Sequence, residues 1–140
     1  MQMNFKIVTP DGVIYEDAVE SVSLPTVMGE ITILPHHIPL ISVIKTGEIR
    51  IVKEGHEVGV AVSSGVLEVR ENSEVLIIAD TAERAEHIDI ERAEAARKRA
   101  EELMLQERFE DDRQFASLQA QMEKELTRIK VGKKYRNISM

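Results

Sequence analysis

Glycine and proline are segregated along this chain, and that segregation restricts its fold more than any other feature. All four prolines (Pro10, Pro25, Pro35, Pro39) and six of the seven glycines lie before residue 66, and the next is Gly132. Up to about Asp80 short apolar runs alternate with turn residues, the spacing of an antiparallel sandwich or barrel. Strands are expected at Asn4 to Thr9, Gly12 to Tyr15, Ala18 to Pro25, Glu30 to Leu34, Leu40 to Lys45, Gly47 to Lys53, Glu57 to Val62, Gly65 to Arg70 and Glu74 to Ala79. Turns are expected at Pro10-Asp11-Gly12, Lys53-Glu54-Gly55-His56, Ser63-Ser64-Gly65 and Glu71-Asn72-Ser73. Between two of these strands Pro35 and Pro39 forbid both a helix and a regular ladder, so the chain must turn there at the surface.

After His87 the apolar period changes from two to about three and a half, which predicts a helical hairpin. Asp89 is placed to cap a helix running to about Gln106, with Glu91 in its first turn and a favourable Glu94 to Lys98 pair. The apolar face of this helix, Ala93, Ala96, Ala100 and Leu103, is narrow and mostly methyl-sized. The second helix is expected to start at Asp111 or Asp112, where Asp111 and Gln114 have capping-box spacing. Phe115, Leu118, Met122, Leu126 and Ile129 form its expected stripe, and Gly132 its expected end. Two thin stripes bury little area at about 25 cal/mol per Å², so the hairpin should dock reversibly on its own first domain or on a partner. The fold class is α+β: an antiparallel β-sandwich or barrel over residues 1–86, then a two-helix hairpin over 87–140.

Composition excludes several function classes. Without cysteine there are no disulfides, thiolate zinc sites or thiol catalysis. No run approaches the roughly 20 apolar residues of a spanning helix, and the start lacks the layout of a signal peptide. A cytosolic protein is expected. The net charge of −7 is uneven: residues 1–86 hold 14 acids and 6 bases, and residues 87–140 hold 11 acids and 12 bases. From Lys124 onward Arg128, Lys130, Lys133, Lys134 and Arg136 join it against Glu125 alone, a tail suited to an acidic surface or to phosphates.

Gly29-Glu30-Ile31-Thr32-Ile33-Leu34-Pro35-His36-His37-Ile38-Pro39-Leu40, followed by Lys45-Thr46-Gly47-Glu48-Ile49-Arg50-Ile51, resembles the epsilon subunit of bacterial F-type ATP synthases. The first domain of that family carries G-E-x-x-I/L-x-P-x-H-x-P-L and then K-x-G-x-I-R-I. Ser63-Ser64-Gly65-Val66-Leu67-Glu68-Val69, Ala79-Asp80-Thr81-Ala82 and Ile88-Asp89-Ile90-Glu91-Arg92-Ala93 follow in family order at family distances. Ser64 departs from a family glycine; if that turn needs a positive φ, serine is strained there.

The resemblance implies a non-catalytic rotor subunit, peripheral on the cytoplasmic face of the bacterial cell membrane and attached only through its complex. Its implied partners are the gamma subunit, the membrane c-ring and a catalytic beta subunit; nucleic acid is not among them. Glu30 and His37 match positions that touch the rotor ring. Ile88, Asp89, Arg92 and Ala93 match the I/L-D-x-x-R-A motif by which some members hold ATP, and Glu83 and Arg99 also match. On the second helix the two basic positions of the family fall at Lys124 and Arg128; Lys124 replaces an arginine, exchanging a bidentate fork for a point charge. Arg92 and Arg99, seven apart, share a helix face that suits phosphates. ATP is implied as a regulatory ligand, and no cofactor is required. Arg128, Lys130, Lys133, Lys134 and Arg136 are implied as the inhibitory contact with an acidic segment of the beta subunit.

Two other classes fit the residues less well. A free-standing nucleotide-binding regulatory module predicts a monomer that binds ATP and ignores gamma. A small β-barrel metalloenzyme predicts an ion at His36, His37 and His56, but neighbouring strand residues point to opposite faces and chelate one ion poorly. No Gly-x-Ser-x-Gly, phosphate-cradling glycine loop or triad order occurs in the sequence.

Overall fold

The computed structural model describes residues 1–106 and 112–138. Ten strands form one strongly curved sheet, nearly closed into a sandwich: β1 (Met3–Thr9), β2 (Gly12–Val19), β3 (Ser21–Thr26), β4 (Gly29–Ile33), β5 (Leu40–Ile44), β6 (Gly47–Lys53), β7 (His56–Val62), β8 (Gly65–Arg70), β9 (Glu74–Ala79) and β10 (Ala82–Arg84). Their spatial order is β10-β7-β6-β3-β5-β8-β9-β1-β2, with β4 paired to β3. All pairings are antiparallel except β1 with β9.

Period-two alternation explains which side chains enter the core. Met3, Phe5 and Ile7 of β1, Val22 and Leu24 of β3, Ile49 and Ile51 of β6, Leu67 and Val69 of β8, and Val75 and Ile77 of β9 are all buried in one cluster. As the lack of tryptophan suggests, the core is chiefly aliphatic, with Phe5 tilted against Tyr15 at a centroid distance of 5.8 Å.

The expected strands recur with shifted ends. The second continues from Tyr15 to Val19, and the third begins at Ser21 rather than Ala18. β10 was not legible in advance: three residues ending in Glu83-Arg84 carry no apolar alternation, and their strand form comes from pairing with β7. Ser64 does not have a positive φ, so serine is unstrained there; among the described residues the left-handed non-glycine ones are His36, Glu54, Asn72 and Ser73.

A single 3₁₀ turn (Ala85–His87) leads into α1 (Ile90–Gln106), and α2 (Asp112–Ile138) returns along it. Asp89 caps α1 as expected: its Oδ1 accepts the Arg92 amide at 3.0 Å. Asp111, half of the expected capping box, lies outside the described residues. The hairpin lies on the outer surface of β7 and β6. A second small core forms there from Ala61, Ala85, Ile88, Ile90 and Val131, flanked by Ile129 and Tyr135.

Two expectations about α2 need correction. Gly132 does not end the helix, which continues to Ile138. Its role is close packing, since a Cβ at 132 would stand 2.9 Å from Ile90 Cγ1 and 3.2 Å from Ile88 Cγ2. The expected stripe holds only in part: Leu118, Met122 and Ile129 are half-buried, with Ile129 against the small core, but Phe115 and Leu126 are 44% and 47% exposed while Glu125, Val131 and Gly132 are buried. Docking on the sandwich, rather than pairing with α1 alone, selects that face.

These contacts predict an inverted propensity effect. Gly132→Ala, which gains about 1 kcal/mol in an unpacked helix interior, should here weaken docking, measured as faster amide exchange across α2 with the sandwich core unaffected.

Candidate functional site

The site is assembled from a sheet edge and both helices. β7 prepares it by sequence: in Val58-Gly59-Val60-Ala61-Val62, Val60 and Val62 face the main core while Gly59 and Ala61 face outward. Small outward residues let the hairpin approach, and all four residues from Gly59 to Val62 are buried.

Between β10 and the two helices lies a cleft of about 500 Å³. Glu83 from β10, Arg92, Ala96 and Arg99 from α1, and Lys124, Glu125, Thr127 and Arg128 from α2 line it. Arg128 anchors one wall. Its Nε donates to Glu83 at 2.7 Å and its Nη1 to Glu125 at 2.8 Å. Glu125 is only 5% exposed and sits opposite this guanidinium, as a buried carboxylate requires. Burial by itself pulls the pKa of Arg128 down, but the Glu83 hydrogen bond and charge, helped by Glu125, hold it above the ordinary arginine value. Arg92 and Arg99 stand exposed on one face of α1, with Lys124 across from them partly buried.

Five of the eight residues matched to nucleotide binding, Glu83, Arg92, Arg99, Lys124 and Arg128, therefore meet at one cleft. The other three do not line it. Ile88 belongs to the small core, Ala93 is fully buried, and Asp89 is engaged as the helix cap. Spacing alone could not separate these roles, because the motif spans both the cap and the cleft-facing side of α1.

The basic residues further along α2 face acids of the same chain. Lys133 Nζ lies 3.1 Å from Glu94 Oε1, and Lys134 Nζ donates to Glu48 Oε1 at 2.8 Å. Tyr135 Oη donates to that same Glu48 oxygen at 2.8 Å. Burial first, then the hydrogen bond to Glu48 and the charges of Glu48 and Glu57, push the phenol far above its ordinary pKa. Lys130 and Arg136 are exposed. Tyr135, Glu48 and Gly59 were missed by sequence reasoning; the available signal was a glycine within the β7 strand interior, which marks close approach.

Elsewhere, Glu30 on β4 pairs with Arg50 on β6. The β4–β5 loop that follows is held by a remote turn, with the His36 amide donating to Ser73 Oγ at 2.9 Å. His37 Nδ1 lies 2.6 Å from the Ile38 carbonyl. His36 adopts φ 66°, a left-handed conformation uncommon for a non-glycine residue. No group of three or more His, Asp or Glu able to hold a metal exists among the described residues.

A second surface was also missed. In register across adjacent strands, Val43, Val66 and Ile78 face outward and are 52%, 42% and 54% exposed, and the row continues through Val8 to the exposed Val13. The runs Ile41-Ser42-Val43-Ile44 and Val75-Leu76-Ile77-Ile78 carry apolar residues on both faces, the signature of strands covered on both sides.

The molecule is thus a β-sandwich carrying a docked helical hairpin, with a charged cleft between them. Residues 2–85 match the family model described as ATP synthase, Delta/Epsilon chain, beta-sandwich domain, and residues 86–133 match the one described as ATP synthase, Delta/Epsilon chain, long alpha-helix domain. An ATP synthase epsilon chain of Shouchella clausii is 46% identical over 127 residues, covering 91% of this chain and 92% of the relative. One of Herpetosiphon aurantiacus is 40% identical, with 98% of each chain covered. A chain in the cryo-EM structure of Euglena gracilis mitochondrial ATP synthase (OSCP/F1/c-ring, rotational state 1) shares the fold, with a TM-score of 0.72, 21% identity, and coverage of 87% of this chain and 76% of that one. The chain belongs to the epsilon chain family of ATP synthases, non-catalytic components of the central stalk. No helix among its described residues is long and apolar enough to cross a membrane.

The Tyr135 contact carries a pH signature. A released phenol ionises near 10, whereas the docked one is held protonated, so the contribution of this contact to docking should be constant below pH 10 and be lost as pH rises above it. Amide exchange against pH should show that loss, and Tyr135→Phe should remove this part of the dependence.

Proposed function

We infer that this subunit joins the gamma subunit to the membrane c-ring and restrains ATP hydrolysis through its hairpin, with ATP favouring the docked arrangement. The observation that carries the reading is the cleft itself, where Arg92, Arg99, Lys124 and Arg128 from two separate helices converge beside Glu83. Four cations around about 500 Å³ suit a polyphosphate, and a ligand that bridges both helices and the sandwich edge binds only when they are together. Differential affinity of that kind is what shifts a conformational balance. Released from the sandwich, Arg128, Lys130, Lys133, Lys134 and Arg136 would meet an acidic segment of a catalytic beta subunit and oppose rotation in the hydrolysis direction.

The rotor contacts are assigned to opposite physical surfaces. The apolar row Val43-Val66-Ile78 suits the gamma subunit, because a desolvated apolar centre is what a lasting protein contact needs. Glu30 on β4 and His37 on the loop between β4 and β5 suit the polar loops of the c-ring. The protein is then held at the cytoplasmic face of the membrane by its complex alone.

Calorimetric titration of the full chain with ATP tests the cleft. Binding is expected, and Arg92→Ala should abolish it while leaving the melting temperature without nucleotide nearly unchanged; undiminished binding by that variant removes the site. A pull-down tests the apolar row: Val66→Asp should lose gamma yet keep its fold, since the side chain faces outward. Retention of gamma would move that contact elsewhere, and failure of the wild-type chain to bind gamma would favour a free-standing nucleotide sensor.

A further inference from the structure

The geometry points to a latch made by Gly59 and Tyr135, which sets the balance between the docked hairpin and a released one. It deepens the regulatory reading above and rests on it for its consequence, though not for its test.

Gly59 sits inside β7, where glycine weakens a strand, and it is not among the positive-φ glycines, so its backbone does not require it. Space does. A Cβ on residue 59 would stand 2.1 Å from Cε2 and 2.4 Å from Cζ of Tyr135, so the ring lies directly against the strand backbone. The hydroxyl at the end of that ring donates to Glu48 Oε1 on the neighbouring strand β6, and Lys134 Nζ donates to the same oxygen, each at 2.8 Å. Nearly one turn back on α2, Gly132 makes the matching close approach to Ile90 and Ile88. The last turns of α2 are thus seated at one position where a methyl would strike a ring and a second, milder one where isoleucine side chains would have to give way.

The charged partners give the seat its consequence. While Tyr135 is seated, Lys133 faces Glu94 and Lys134 faces Glu48, so this chain's own carboxylates occupy part of the cationic stretch that an external acidic partner would need. Lys134 and Tyr135 are consecutive and share Glu48, so their contacts to the sandwich release together, whereas Glu94 lies on α1 and its pair with Lys133 breaks only when the two helices part. Unseating the ring therefore frees charge and apolar strand surface in a single step.

Amide hydrogen exchange on the full chain tests the latch. Gly59→Ala should speed exchange in α2 by about tenfold or more while β1 and β9 keep their protection. Tyr135→Ala should do the same. In the Tyr135→Ala background, adding Gly59→Ala should cause no further increase, because the new methyl has no ring to meet. The latch is overturned if Gly59→Ala leaves α2 protection unchanged, if it loosens β1 and β9 equally, or if the two substitutions act independently; should Gly59→Ala fail to fold, unchanged α2 protection in Tyr135→Ala overturns it alone. Reassembled into the complex, the Gly59→Ala subunit should inhibit ATP hydrolysis more strongly. Faster exchange with unchanged inhibition overturns the regulatory reading and leaves the latch in place.

Discussion

The contact between the hairpin and the outer face of β7 is the constraint on which the rest depends. A two-helix hairpin with an alanine-lined seam buries too little surface to hold itself, so it needs a third surface. β7 provides one by placing Gly59 and Ala61 outward and Val60 and Val62 inward. The same strand therefore closes the main core and receives the helices. Without the small outward residues α2 would stand farther off, and the cleft between Glu83, Arg99 and Arg128 would lose a wall.

Electrostatics then works against a fixed arrangement. The acid-rich sandwich supplies Glu48, Glu57 and Glu83, and the basic end of α2 supplies Arg128 and Lys134. Most of these pairs are partly solvated, so each contributes little individually and is weakened by salt. Arg128 with Glu125 differs because Glu125 is buried and depends on its cation. The Arg128–Glu125 pair lies within α2 and only orients the guanidinium; what joins the hairpin to the sandwich is Arg128 with Glu83, the close approach of Tyr135 to Gly59 and several partly solvated pairs.

Legibility followed the physics of each element. Strands with clean alternation, such as Phe5 and Ile7 or Ile49 and Ile51, were readable because side-chain direction depends only on period. The Asp89 cap was readable because a short acceptor three residues before a free amide is a local arrangement. β10, the true face of α2, and the role of Gly132 were not, since each is decided by a remote neighbour: β7 pairs the first, the sandwich selects the second, and Ile88 with Ile90 explains the third. The nucleotide motif was readable as a string but not as a place, because Ile88 and Ala93 turn inward while Arg92 and Arg99 turn toward the cleft.

By itself the chain's order of residues determined two structural halves, an aliphatic sandwich core, a capped first helix and membership of an epsilon-type family, all of which rest on local period and spacing. Only the folded molecule decided which side of α2 is inside, which of the matched residues share a cleft, and that Tyr135 rests on Gly59. Those outcomes depend on surfaces brought together from positions tens of residues apart, and the fit between such surfaces is not written in either segment alone.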